Sequence, residues 1–121
     1  MMANGRVEPT NQAAKGNYAF VNGLKLYYER HGEGQPLVVL HGAYMSINTM
    51  QLLVSELAKT RQVIAVEFQA HGRTADIDRP LRMELLAEDV AALLHYLKLE
   101  QTDILGYSLG AGVALQVVLR Y

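Results

Sequence analysis

Apolar and polar residues follow a changing period along this chain, and each period predicts an element. The first signal is a pair of apolar-rich runs, Asn17-Tyr18-Ala19-Phe20-Val21 and Leu24-Lys25-Leu26-Tyr27-Tyr28-Glu29-Arg30. They flank Asn22-Gly23, a pair that accepts the positive φ angles of a tight turn, so a β-hairpin is predicted. Gly32, Gly34 and Pro36 end its second strand. Leu37-Val38-Val39-Leu40 is apolar without alternation, as a parallel strand buried on both faces requires. It runs into His41-Gly42-Ala43. A helix is predicted next, capped by Asn48 or Thr49, with Leu53 and Leu57 four apart on one face. Val63 to Phe68 reads as another buried strand and Gln69 to Pro80 as a loop. Met83 to Leu97 has the clearest helical period. Leu85, Leu86, Val90, Leu93, Leu94 and Leu97 make its apolar face, while Glu84, Glu88 and Asp89 read as a solvated face near its start. Thr102 to Leu105 is a short strand, and Val113 to Arg120 is helical. Strands alternating with helices after a hairpin predict an α/β fold with a parallel sheet covered on both faces. Met1 to Gly16 carries little periodicity and reads as a disordered leader, leaving 17–121 as one domain.

Between the last strand and the last helix lies Gly106-Tyr107-Ser108-Leu109-Gly110, a G-x-S-x-G turn. In a strand–turn–helix context this turn holds a serine in a strained conformation with its hydroxyl exposed. A side chain at Gly106 or Gly110 would strike the neighbouring strand or helix. Ala111 and Gly112 extend the small-residue zone and are expected to let the helix lie close to the sheet. The helix N-terminus aims N–H groups and a positive dipole end at the serine, which suits an oxyanion. At this level a second reading stands beside the catalytic one, in which Ser108 merely caps the helix. A dinucleotide fingerprint is excluded, because Gly110-Ala111-Gly112 is followed three places on by Leu115 rather than glycine. No G-x-x-x-x-G-K-[ST] occurs either.

Composition narrows the picture modestly. The 121 residues fit one domain, half are hydrophobic and 19% are charged, as in ordinary globular proteins. A formal net charge of -1 offers no electrostatic case for nucleic acid or an anionic membrane surface. There is no cysteine, so disulfides and thiolate metal sites are excluded. That fits a reducing compartment, and a cytoplasmic location is the expectation. The stretch from Met1 to Lys15 lacks the apolar core of a signal peptide, and no apolar run approaches the ~20 residues of a membrane span.

Taken together, the segments from Tyr18 to Tyr121 resemble the N-terminal half of the α/β-hydrolase fold. Pro36 to Gly42 resembles its third strand and HG turn. Val63 to Thr74, ending His71-Gly72-Arg73-Thr74, resembles the fourth strand and its loop. Gly106 to Gly112 resembles the nucleophile elbow. The likeness is greatest to small bacterial hydrolases of the esterase, lactonase and haloperoxidase type. Glu67 stands where that family usually has Asp, and Gln69-Ala70 replaces a more common Arg-Gly or Pro-Gly.

The resemblance implies a serine hydrolase of a carboxylic ester or lactone, working through an acyl-enzyme on Ser108. Leu109 and Ala43 would supply the backbone N–H groups of the oxyanion hole, with Tyr44 the alternative to Ala43. His41, Gly42, Gly106 and Gly110 would support the motif. Serine rather than Asp at the elbow argues for acyl transfer. The implied partner is a small-molecule substrate, with no cofactor and no metal. The family's triad runs serine, acid, histidine along the chain, but the residues after Ser108 contain no Asp, Glu or His. His41 reads as the structural residue of the HG turn and His71 as shaping its loop. His31, in a glycine-rich turn, and His95, on the long helix, read as surface or packing residues. The expectation is therefore that these residues are the N-terminal part of one α/β-hydrolase domain, with little esterase activity alone. The 103–105 strand would then be an exposed apolar edge inviting self-association. A ligand-binding relative without catalysis, or an interaction fragment, is the alternative.

Overall fold

The computed structural model describes residues 16–121. The expected leader therefore lies outside the described residues, apart from Gly16, which opens β1. In chain order the elements are β1 (Gly16–Val21), β2 (Leu24–His31), β3 (Pro36–Leu40), a 3-10 turn (Ile47–Met50) leading into α1 (Gln51–Leu57), β4 (Gln62–Val66), α2 (Met83–Tyr96), β5 (Asp103–Gly106) and α3 (Leu109–Arg120). The strands form one sheet in the order β1-β2-β4-β3-β5. The hairpin closes at Asn22 and Gly23, with φ of 52° and 78°. Paired positive φ angles match the twist of the flanking strands, which is why Asn-Gly serves there. β2 pairs antiparallel with β4, while β4, β3 and β5 run parallel.

Alternation within the strands sorts the core into two layers. Val38, Leu40, Ile64 and Val66 face one side, where Leu86, Ala87, Val90 and Leu93 of α2 and Val113 and Val117 of α3 cover them. Leu37, Val39, Val63 and Ala65 face the other, against Ile47, Met50 and Val54. Each valine, leucine, isoleucine or methionine side chain fully buried in this way contributes about 1.5–3 kcal/mol of hydrophobic stabilisation. β3 and β4 are buried on both faces, as their unbroken apolar runs require, whereas β5 is only half-buried. β5 lies at the margin of the sheet with β3 as its partner among the described residues, and Ile104 and Leu105 pack into opposite layers.

The structure corrects several local expectations. The helix after β3 begins one turn early, at Ser46, because the Thr49 hydroxyl accepts the Ser46 N–H at 3.1 Å and donates to its carbonyl. Ile47, Met50 and Val54 then take the inner face, and Leu53 is 39% exposed. Asp89 is not on a solvated face: it is 2% exposed and paired with Arg79. His31 is the last residue of β2 rather than part of a turn, and its Nε2 lies 2.8 Å from Glu29 Oε1. Glycine 110 is the residue that brings α3 onto the sheet, since a Cβ there would collide with the Leu40 carbonyl. Gly112 instead faces Met83 of α2.

Candidate active site at the strand ends

β3, β4 and β5 end side by side, and parallel strands deliver their loops to the same edge of a sheet. Ligands of open α/β sheets bind outside this edge. The loops gathered here are 41–46 after β3, 67–82 after β4, and Tyr107-Ser108 after β5. Gly106 stands opposite Leu40, and the Tyr107 N–H donates to the Leu40 carbonyl at 3.0 Å. A Cβ on Gly42 would lie 3.1 Å from the Tyr107 ring and 3.3 Å from its carbonyl. The elbow and the HG turn are therefore in contact.

Ser108 has φ 55° and ψ -112°, outside the regions comfortable for a residue with a Cβ. Gly106 and Gly110 permit this bend. A Cβ on Gly106 would collide with the Gly110 carbonyl, so the turn can be this tight only without one. Ser108 is the N-cap of α3, yet its side chain makes no capping hydrogen bond; the Ala111 and Gly112 N–H groups bond to its carbonyl instead. The hydroxyl is exposed and uncommitted among the described residues, which removes the helix-cap reading. Leu109 begins α3, where N–H groups have no intrahelical partner. Neither the Leu109 nor the Ala43 N–H is hydrogen-bonded among the described residues. Between Ala43 and Met45, Tyr44 has φ 61° and a side chain 99% exposed.

The histidines divide by what their ring nitrogens already do. Phe68 donates its N–H to His41 Nε2 at 3.1 Å, so Nδ1 carries the proton and donates to the Gly42 carbonyl at 2.7 Å. A ring accepting at one nitrogen is neutral, and this one joins the ends of β3 and β4. Burial disfavours its cation and, helped by the neighbouring His71 ring 5.0 Å away, holds its pKa below the ordinary 6.5. His71 Nδ1 donates to the Gln69 carbonyl at 2.9 Å. His31 is tied to Glu29, and His95 lies on α2 beside a hollow of ≈ 860 Å³ that also touches Thr102, Asp103 and Tyr121, beyond the opposite end of β5. None of the four hydrogen-bonds Ser108.

His41 makes a pH prediction. Its folded pKa is depressed, so its stabilisation is complete above about pH 6.5 and declines as pH falls towards the folded value. The melting temperature is expected to fall between about pH 7 and 5, and more steeply than in His41→Gln, which cannot titrate. Equal slopes in thermal unfolding would contradict the neutral, bridging His41.

Two buried charge clusters hold the loop after β4, and sequence reasoning missed both. Glu67, wholly buried, accepts from the Arg73 N–H at 2.7 Å, from Arg73 Nη2 at 2.8 Å and from the Ile47 N–H at 3.0 Å. Burial alone would raise its pKa, but the hydrogen bonds from Arg73 and Ile47 and the Arg73 charge outweigh it, and the pKa lies below the ordinary 4.5. Gln69, also buried, donates to Asp76 at 2.7 Å and to the Arg79 carbonyl at 3.0 Å. Arg79 in turn pairs with both oxygens of Asp89, at 3.2 and 2.7 Å, and Asn22 donates to the same carboxylate at 3.0 Å. One signal was available: Asp89 lies three residues after Leu86 and four before Leu93, on the helix's buried face. Among the described residues, no group of three or more His, Asp or Glu is arranged to hold a metal ion, and no helix is long and apolar enough to cross a membrane. Beside the elbow an open cleft of ≈ 660 Å³ is lined by Met45, Asn48, Thr49, Leu52, Leu53 and Tyr107.

This sheet, with a serine whose hydroxyl has no partner among the described residues, on a strained strand-to-helix turn against an HG turn, defines the class. Residues 35–121 match the family described as alpha/beta hydrolase fold, and the chain belongs to that family. It is 28% identical over 117 residues to 2-hydroxymuconate semialdehyde hydrolase of Pseudomonas sp. (strain CF600), covering 93% of this chain and 41% of the relative. Among solved structures, an esterase from Exiguobacterium antarcticum superposes with a TM-score of 0.82 at 30% identity, over 88% of this chain and 40% of the esterase. An N-acyl homoserine lactone degrading enzyme superposes with a TM-score of 0.81 at 30% identity, over 86% of this chain and 40% of that one. The chain thus spans about two fifths of the length of these relatives.

Proposed function

We propose that the whole protein is a serine hydrolase of carboxylic esters or lactones, with Ser108 as its nucleophile. The observation that carries this reading is the Ser108 backbone at φ 55°, ψ -112°, with an exposed hydroxyl that caps nothing. A strain of this kind persists where surrounding structure enforces it, and it clusters at functional sites. Similarity to an esterase and to a lactone-degrading enzyme supports the substrate class.

In the proposed reaction, Ser108 Oγ attacks the carbonyl carbon as a base takes its proton. The carbonyl π electrons move to oxygen, and the Leu109 and Ala43 N–H groups receive that oxyanion. Collapse expels the alcohol oxygen, which takes the proton from the base, and leaves an acyl-Ser108. Water then attacks the acyl carbon with the same proton transfers, releasing the carboxylate. Since no described histidine reaches Ser108, this reading assigns the base and its acid partner to the part of the relatives' length that this chain does not span.

A fluorophosphonate probe is expected to label the complete protein, with peptide mapping placing the adduct on Ser108 and Ser108→Ala unlabelled. Failure to label, or an adduct on another serine, would overturn the proposal.

A further inference from the structure

Glu67 connects the loop after β4 to the loop after β3. The second of these carries Ala43 and Tyr44, and both of its ends are held. At its start, Gly42 accepts hydrogen bonds from His41 Nδ1 at 2.7 Å and from the Met45 N–H at 3.1 Å. At its end, the Ile47 N–H donates to Glu67 Oε2 at 3.0 Å. The other Glu67 oxygen takes the Arg73 N–H and Nε, while Oε2 also takes Arg73 Nη2. Both oxygens of this carboxylate accept hydrogen bonds, the Gly72 backbone packs against it, and Glu67 is fully buried. Between the two anchored ends, Tyr44 adopts φ 61°, a conformation that relaxes unless its neighbours enforce it.

We infer that Glu67 is a positioning residue, holding the Ala43–Tyr44 turn through Ile47 so that its N–H stays aimed at the oxyanion. The inference rests on the serine-hydrolase reading above. Glu67 touches no substrate; it acts by removing slack from a loop whose backbone donor is useful only where the oxyanion forms. Displacing a catalytic group by about 1 Å can cost on the order of 100-fold in rate.

The test uses the complete protein, p-nitrophenyl acetate and the fluorophosphonate probe. Glu67→Gln presents an amide N–H2 where only acceptors fit, and because each carboxylate oxygen takes two donors, two of them lose their acceptor whichever way the amide turns. Ile47→Pro deletes the hydrogen bond from the other side. Proline suits the first position of a helical turn, and Ser46, at φ -154° and ψ -179°, has the extended backbone that precedes it. Ile47→Val keeps the N–H while trimming the side chain, and so controls for packing. Glu67→Gln and Ile47→Pro are each expected to lower kcat and the Ser108 labelling rate about 10-fold or more per folded molecule, with KM within about 3-fold. Ile47→Val is expected to stay near wild type. If Glu67→Gln or Ile47→Pro melts earlier but keeps wild-type kcat, or if Ile47→Val loses as much as Ile47→Pro, the positioning role is overturned. Glu67→Gln failing to fold leaves the Ile47 pair to decide. A wild-type protein inert to both reagents would instead remove the serine-hydrolase reading and this inference with it.

Discussion

Ser108→Gly is expected to stabilise the fold while abolishing serine-dependent turnover. At φ 55° and ψ -112°, a Cβ crowds the backbone, and such conformations cost on the order of 1–3 kcal/mol. Glycine adopts them freely but gains conformational entropy in the unfolded chain, which returns roughly 0.5–1 kcal/mol. The net expectation is a gain of about 0.5–2 kcal/mol. Ser108→Ala keeps its Cβ and hence the strain, so its stability should match wild type, since the serine hydroxyl holds nothing among the described residues. Both variants should lose the nucleophile, with turnover of p-nitrophenyl acetate by the complete protein down by about 1,000-fold or more. The comparison separates two properties of one residue. Thermal unfolding showing glycine no more stable than alanine would mean that the elbow is not strained.

Asp89→Ala is expected to destabilise the protein by about 3–5 kcal/mol, the range for breaking a buried ion pair by removing one partner. Asp89 is 2% exposed and Arg79 15% exposed on their side chains, and they meet through two hydrogen bonds. Truncation leaves the guanidinium with only Gln69 to pair with, and Gln69 holds the loop through Asp76 and the Arg79 carbonyl. It also releases Asn22, so the hairpin turn loses its tie to α2. The double variant Asp89→Leu with Arg79→Met should recover much of the loss, because two apolar side chains of similar volume avoid the desolvation that the charges carry. Urea unfolding of the single and double variants reads this coupling. A cost for Asp89→Ala below about 1 kcal/mol would show that the cluster is water-exposed and that the loop is held by other contacts.

The charge clusters are not legible in the sequence. Asp89 and Glu84 are both acidic residues near the start of an amphipathic helix, and composition cannot tell them apart. Asp89 shares the helix's buried face with Leu86 and Leu93, and its charge is tolerated there because Arg79, ten residues earlier, folds back over the helix to meet it. Nothing local to Glu67 shows that its carboxylate joins Ile47, twenty residues earlier, to Arg73. The helix after β3 shows the same limit at smaller scale. Its inner face is set by Ile47, Met50 and Val54, a spacing that begins in a 3-10 turn. Leu53 and Leu57 satisfied a helical period, but Leu53 faces outward.

Local chemistry was decisive where a residue type has one workable conformation. Asn22-Gly23 had to turn, because few other pairs tolerate two positive φ angles. Leu37 to Leu40 and Val63 to Val66 had to be interior strands, because an unbroken apolar run leaves no face for water. Gly106 and Gly110 had to be glycine at a turn where backbone meets backbone, and this located Ser108 without any structure. Most of these follow from sterics or hydration within a few residues, while Gly110 also meets the Leu40 carbonyl of a neighbouring strand. What only the tertiary structure decided was which distant groups meet: β2 beside β4, Gly112 against Met83, His41 between two strand ends, and the two buried carboxylates with their arginines. Those pairings depend on sheet order and helix rotation, which are set by the summed packing of the whole core rather than by any one segment.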